Sequence, residues 1–262
     1  MSAAPTVGVI GAGPGGGFTA LQLAKAGVAV TVFDDSHPRE KACGGVLSEG
    51  ALRLMPPDGL ASANELTHMW FRSPYGREFK VKHPRRQVSI SRAEYDAHIL
   101  AQAVAAGAEH VAKRVRSVEQ HGQRWRLATD DDVREFDILV GADGVRSLVA
   151  RAIGQGINGP DLGFTMGFYS PSLPEKELIR VRFGNHVGYS WIIQRSDHAS
   201  VGVGGPLLQK ARVQEAFFAF LKETGLSDAY QTSDRKYSWT IPFSRSPRFV
   251  DQPKCGANWV LV

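Results

Sequence analysis

The chain has 262 residues, 43% hydrophobic and 22% charged, with 31 basic residues against 26 acidic and a net charge of +5. This is the composition of a globular protein of one large domain or two modest ones, and it excludes a disordered tail or a fibrous repeat. Two cysteines, Cys43 and Cys255, are too few for a disulfide framework or a four-cysteine zinc site, and suit a reducing compartment.

Thr6 to Ile10 (TVGVI) is a short apolar run of the kind that forms a buried parallel strand. Gly11-Ala-Gly13-Pro-Gly15-Gly16 follows at once, with Pro14 suited to a first helical position. The helix predicted through Leu21, Leu23 and Ala24 stops at Gly27, and Val28 to Phe33 makes a second strand that ends at Asp34. The ~30 residues from Thr6 to Asp34 span one dinucleotide-binding βαβ unit. In that unit Gly11 permits the tight turn, Gly13 lets the backbone approach a pyrophosphate, and Gly16 allows close helix–strand packing, with Gly15 between them in the same loop. The helix amino terminus offers N–H groups to phosphate, and Asp34 is placed to accept ribose hydroxyls and repel a 2′-phosphate. The glycines and prolines of this loop break any membrane helix, and no basic residue precedes the apolar run as a signal peptide requires. A soluble, cytoplasmic protein is expected.

Arg72, Arg77, Lys80, Lys82, Arg85 and Arg86 are opposed locally only by Glu78. Two readings stay open: a surface for phosphate head groups or a membrane, and a solvated strand face, since Phe79 and Val81 alternate with Lys80 and Lys82. Nothing in the charge points to nucleic acid. Ser91 and Glu94 form an S-x-x-E capping box, which sets Arg92 in the first turn of a helix, where it clamps a diphosphate or pairs with Glu94 or Asp96. Val111 to Val118 reads as a strand, and His121-Gly122 as a hairpin turn into Trp125 to Ala128. Asp137 to Gly141 is a buried strand that delivers a polar loop at its carboxyl end, where Asp143 is able to cap the next helix. Gly154-Gln-Gly156-Ile-Asn-Gly159 repeats the GxGxxG spacing but has no strand before it and Pro160 after it, so it reads as a loop. Residues 66–82 and 163–205 alternate like antiparallel strands. Tyr189 and Trp191 share a strand face and line an apolar substrate tunnel or belong to the core. Neither the eight histidines nor the cysteines have metal-ligand spacing, and no catalytic residue can be named.

Four ordered segments carry a resemblance. Glu40-Lys-Ala-Cys43-Gly44-Gly45-Val46-Leu47 is similar to the CGG segment of the geranylgeranyl reductase family of flavoproteins. Ser91-Arg92-Ala-Glu94-Tyr-Asp96 resembles that family's arginine-bearing helix entry, and Gly141-Ala-Asp143-Gly144 the DG motif of the wider hydroxylase-like superfamily. Gly188-Tyr189-Ser-Trp191-Ile-Ile, then Val201-Gly-Val-Gly204, resembles the reductases' YxWxFP segment and following strand, with Gln194 where the family has proline. The halogenases' WxWxIP pattern is met only in part.

The resemblance implies an α/β protein: a Rossmann-like FAD-binding βαβ domain (1–65 and 84–160, with 250–262 as its last strand) and an antiparallel β-sheet substrate domain (66–83 and 161–249). It implies FAD as cofactor and NAD(P)H as electron donor, and reduction of a double bond in an isoprenoid or other apolar substrate, with a flavin monooxygenase as the alternative. It sets Cys43, Gly44 and Val46 beside the flavin, Arg92 and Asp143 toward the dinucleotide phosphates, and the backbone of Val115 against adenine. Asn258-Trp-Val-Leu-Val262 resembles the strand that in relatives leads into a GDAAG-type motif, so a fragment without turnover is a further expectation.

Overall fold

Val7, Val9 and Ile10 expose almost no surface, because the strand Thr6–Ile10 lies at the middle of a five-stranded sheet. The order is Trp259–Leu261, Ile138–Gly141, Thr6–Ile10, Ala29–Phe33, Glu109–Val111, and every pairing is parallel. Strands covered on both faces are apolar throughout, which is why TVGVI and AVTVF show no alternation. A three-stranded antiparallel sheet, Ser117–His121, Arg124–Ala128 and Val133–Phe136, brings Trp125, Leu127 and Phe136 onto Ile10, Phe33 and Leu139. Helices Pro14–Lys25 and Arg92–Ala105 meet at Gly17, where a Cβ would lie 2.9 Å from Ile99 Cγ2.

This computed structural model describes residues 4–56, 59–175, 177–184, 188–243 and 251–262. Two compact units emerge: residues 1–39, 93–157 and 247–262 form the first, and 40–92 with 158–246 the second. Three sequence expectations shift. The single strand expected over Val111–Val118 is two, since Val111 completes the edge pairing with Phe33 and the chain turns at 112–116 before Ser117 opens the small sheet. Residues 40–65 and 84–92, expected with the dinucleotide unit, fall in the second, because Val46–Leu47 pairs with Ser89 and Val88 there. The last strand is Trp259–Leu261 alone; residue 250, where it was expected to begin, lies outside the described residues.

The second unit is built on an eight-stranded sheet ordered Lys236–Pro242, Leu162–Pro171, His198–Pro206, Tyr189–Gln194, Leu178–Phe183, Asn64–Arg72, Glu78–Ser89, Val46–Leu47. All its pairings are antiparallel except that of Leu178–Phe183 with Asn64–Arg72. Helix Lys210–Thr224 repeats its apolar residues at helical spacing, and Val213, Phe217, Phe220 and Leu221 cover Phe164, Met166, Phe168, Val201 and Val203 on one face. The helix ends at Gly225, whose φ of +70° is the left-handed cap that glycine supplies. Trp191, Ile193, Val181, Ile179 and Leu66 make a second cluster of the same unit, with Phe71 and Tyr237 beside it. Among the described residues no helix is long and apolar enough to cross a membrane.

Candidate functional site

In the first unit the glycine loop shows why each glycine is there. Gly11 has φ +101°, and a Cβ on it would come within 2.3 Å of the Ala142 carbonyl oxygen. On Gly16 a Cβ would sit 1.8 Å from the Gly11 oxygen, and on Gly15 2.9 Å from Val262 Cγ1. Gly11 and Gly16 are therefore required by the protein's own packing, while at Gly15 a side-chain end would have to move aside. Gly13 is different. It is the N-cap of helix Pro14–Lys25 with ordinary extended dihedrals, and its hypothetical Cβ would meet nothing nearer than His37 Nε2 at 3.8 Å. Neither backbone strain nor crowding asks for glycine at 13.

Asp34 is used differently from the expectation. Its Oδ2 accepts from the Ala12 N–H at 2.8 Å and contacts His37 Nδ1 at 2.6 Å, while Oδ1 accepts from the N–H and hydroxyl of Ser36 and the N–H of His37. Its lone pairs are thus engaged by the chain itself, and the acid ties the glycine turn to the loop that follows the second strand. Burial pushes this carboxyl up, but His37 and the Ala12 and Ser36 N–H groups outweigh it and hold it far below its ordinary 3.8. The other nitrogen of His37, Nε2, lies 3.3 Å from Oδ2 of the fully buried Asp96 on helix Arg92–Ala105. The His37 ring thus stands between two carboxylates, one on its loop-facing side and one on its helix-facing side. Asp34→Asn is expected to cost about 2 kcal/mol in urea unfolding at pH 7. Because the folded pKa is depressed, the wild type should keep this contribution above pH 3.8 and lose it as the pH falls further.

Asp143 precedes the 3₁₀ turn Gly144–Arg146 without a cap bond to it, and the N-cap of helix Leu148–Ala152 is Ser147; the Asp143 Oδ2 accepts from the N–H of Leu148, the first residue of that helix, at 2.5 Å. Its Oδ1 is buried with no hydrogen-bond donor among the described residues, an acceptor available to an incoming hydroxyl or N–H. Val115 is 4% exposed and packs with Phe33, Trp125 and Leu127. The second GxGxxG stretch is, as expected, irregular chain leading into a short 3₁₀ turn at Gly159–Asp161.

In the second unit the Cys43 segment is held by groups the sequence does not advertise. Arg195 is wholly buried; its Nη1 lies 2.9 Å from Glu40 Oε1 and 3.1 Å from His198 Nε2, and its Nη2 donates to the Cys43 carbonyl at 3.0 Å. Glu40 also accepts from the Ser91 hydroxyl at 2.6 Å and the Arg92 N–H at 3.3 Å. Burial raises the Glu40 carboxyl, but Arg195, Ser91 and Arg92 bring it below its ordinary 4.5. Arginine only donates, so His198 accepts at Nε2 and gives its Nδ1 proton to Asp197 Oδ1, 2.7 Å away. Burial and Arg195 depress the His198 pKa, in keeping with that neutral ring. A Cβ on Gly44 would meet Ile193 Cδ1 at 2.4 Å, and one on Gly45 the Ile90 carbonyl oxygen at 2.1 Å. The half-buried Cys43 Sγ accepts from the Gly45 N–H at 3.3 Å. Val46 pairs with Ser89 and packs beside Trp191 and Ile193 in their cluster. Gln194, where a proline was expected from the resemblance, uses its buried amide to bind Leu173 N–H, Ser172 Oγ and the His198 carbonyl.

Tyr189 and Trp191 fall on one face of the eight-stranded sheet, their rings 5.8 Å apart. The row continues through Phe183 (6.2 Å), Phe71 (6.4 Å) and Phe79 (5.2 Å) across four strands. Trp191 is 6% exposed, Tyr189 46% and Phe79 53%, so the row runs from core to solvent. Gly202 lies beneath it, where a Cβ would strike Trp191 at 2.4 Å. Periodicity finds Tyr189 and Trp191 but not the row, whose other members come from strands remote in sequence.

A family model described as an FAD binding domain matches residues 4–251. Curated relatives include the geranylgeranyl diphosphate reductase of Synechocystis sp., 25% identical over 80% of this chain and 57% of that protein. The digeranylgeranylglycerophospholipid reductase of Methanocaldococcus jannaschii is 26% identical over 75% of this chain and 54% of its own length. The menaquinone reductase of Mycobacterium tuberculosis is 28% identical over 97% and 68%. The chain thus spans little more than half the length of the first two. A geranylgeranyl bacteriochlorophyll reductase-like protein from Thermoplasma acidophilum superimposes with a TM-score of 0.81 at 18% identity, over 99% of this chain and 71% of that one. A flavin-dependent brominase does so at 0.76 and 18%, over the same shares. At such identities these structures speak to the fold alone.

Proposed function

The chain belongs to the FAD-binding domain family, and from that premise we propose that its first unit holds FAD and that the protein reduces a carbon–carbon double bond of an isoprenoid or similarly apolar substrate, with NAD(P)H as electron source. The observation that carries the substrate class is the aromatic row from Trp191 to Phe79, an apolar surface spread over four strands. The reductase names of the relatives agree with it.

The residues present fit the cofactor. Gly13 leaves space that the fold itself does not need, at the amino terminus of a 12-residue helix whose first N–H groups favour phosphate. The unpartnered Asp143 Oδ1 suits a sugar or ribityl hydroxyl. In this reading Gly11, Gly15, Gly16 and Asp34 shape the cradle and the backbone at Val115 faces adenine. In the second unit Arg195 fixes the Cys43 carbonyl, and Tyr189 with Trp191 orients the substrate. When bound, FAD supplies the reversible two-electron chemistry; the chain's own residues bind, orient and exclude water.

The test is anaerobic incubation of FAD-reconstituted protein with NADPH or NADH and geranylgeranyl diphosphate, read by mass spectrometry. Gain of two hydrogens per reduced double bond is the expected result. A protein that stays colourless after reconstitution overturns the cofactor assignment. One that consumes NAD(P)H only with oxygen, giving peroxide or hydroxylated product, overturns the reductase reading in favour of a monooxygenase.

A further inference from the structure

The hairpin formed by strands Asn64–Arg72 and Glu78–Ser89 is strongly basic. Between residues 64 and 89 stand six lysines and arginines against Glu65 and Glu78. Arg72 pairs with Glu78 and Glu223, Arg85 reaches Glu49 and Arg86 pairs with Glu65. Arg77, Lys80 and Lys82 have no carboxylate partner among the described residues. The hairpin also exposes Tyr75 at 92%, Phe79 at 53% and Val81 at 41%, with Lys80 and Lys82 on the opposite face of the same strand from Phe79 and Val81.

The arrangement exceeds what the sheet requires. Glu78–Ser89 is next to the sheet's end, flanked beyond only by Val46–Leu47, which pairs with Ser89 and Val88. Lysines on such an edge keep it from joining a foreign strand. Exposed Tyr75, Phe79 and Val81 work against that in water, since apolar surface there invites association. At a lipid surface both features become favourable: aromatic rings settle at head-group depth, and lysine stems lie along apolar surface with their ammonium groups among anionic heads. Phe79 is also the outer member of the aromatic row that ends at the buried Trp191, so the exposed tip and the row are continuous.

We propose that this hairpin docks the protein on an anionic lipid bilayer, through Arg77, Lys80 and Lys82 together with Tyr75, Phe79 and Val81, and that an apolar substrate passes from the bilayer along the aromatic row. The second half rests on the proposed function; the docking does not.

Sedimentation with vesicles of phosphatidylcholine, and of phosphatidylcholine with about a third phosphatidylglycerol, tests the docking without any turnover. Each lysine at an anionic surface multiplies partitioning by about fivefold, so K80E/K82E should bind the anionic vesicles at least ~25-fold more weakly than wild type. The control R212E/K222E, with the same charge change on helix Lys210–Thr224, should bind like wild type. Y75S/F79S should lose tenfold or more while keeping the steep salt dependence, and circular dichroism confirms that each variant is folded. Equal binding to both vesicle compositions, undiminished binding of K80E/K82E, or equal loss in R212E/K222E overturns the proposal. Vesicle binding in a protein that reduces no double bond leaves docking standing and sinks the functional reading; turnover of soluble substrate without vesicle binding does the reverse.

Discussion

Gly13→Ala is expected to fold and melt close to the wild type yet bind FAD at least tenfold more weakly, whereas Gly16→Ala is expected to be destabilised by about 3 kcal/mol or more. The contrast follows from what a methyl group would meet. At Gly16 it would lie 1.8 Å from the Gly11 carbonyl oxygen, with the Ala142 Cβ at 3.0 Å. Neither neighbour is a flexible side-chain end, so helix and strand must part, at a cost of about 3 kcal/mol or more out of a stability of about 5–15 for a domain. At Gly13 the methyl has free space to 3.8 Å and dihedrals any residue adopts. The fold therefore tolerates alanine, and only a ligand whose pyrophosphate lies against that backbone objects. Thermal melts and fluorescence titration with FAD separate the two effects. Wild-type FAD affinity in Gly13→Ala would remove the phosphates from this loop and with them the cradle assignment.

Arg195→Met should destabilise the protein by about 3–5 kcal/mol, because it leaves the Glu40 carboxylate without its cation and the Cys43 carbonyl without its donor. Arg195→Lys keeps the charge but cannot reach Glu40, His198 and the Cys43 carbonyl at once, and should cost less. Adding Glu40→Gln to Arg195→Met should recover part of the loss, since the unpaired charge is then gone; a double-mutant cycle by urea unfolding gives the coupling. The pH dependence has a definite sign. The folded Glu40 pKa is lowered in the wild type, so its contribution is complete above the ordinary 4.5 and disappears as the pH falls through the depressed value. Arg195→Met lacks that contribution at neutral pH, and its deficit should narrow in acid. A deficit independent of pH would mean that Arg195 acts through packing alone.

How much of this was legible in the sequence depended on how local each feature is. The βαβ unit is written within one short segment, where glycines, an apolar run and a terminal acid sit at fixed offsets, and the structure reproduces its strands and helix. Asp34 shows the limit: its type and place were readable, but its use was decided by His37 in the next loop and Asp96 on a helix some sixty residues on. Arg195 was missed outright. It stands at the end of an apolar strand, and its partners Glu40, Cys43 and His198 come from two segments that only the sheet brings together. What crowds the two glycines after Cys43 is Ile193 and Ile90 of the same chain, residues far off in sequence. The boundary between units was misplaced for the same reason, since a two-residue strand paired forty residues away leaves no periodic trace.

The lone parallel pairing of the eight-stranded sheet sets a timetable for synthesis. His68 lies opposite Leu178, and Arg72 opposite Arg182, so the hairpin leaves the ribosome long before the strand that will flank it exists. At elongation rates of about 5–20 residues per second that gap lasts roughly 5–20 s. Throughout it Phe71 has Phe79 as a neighbour but neither Phe183 nor Val181. The nascent chain therefore presents an open strand edge and a strip of aromatic surface together, the combination that holdase chaperones recognise and that aggregation exploits.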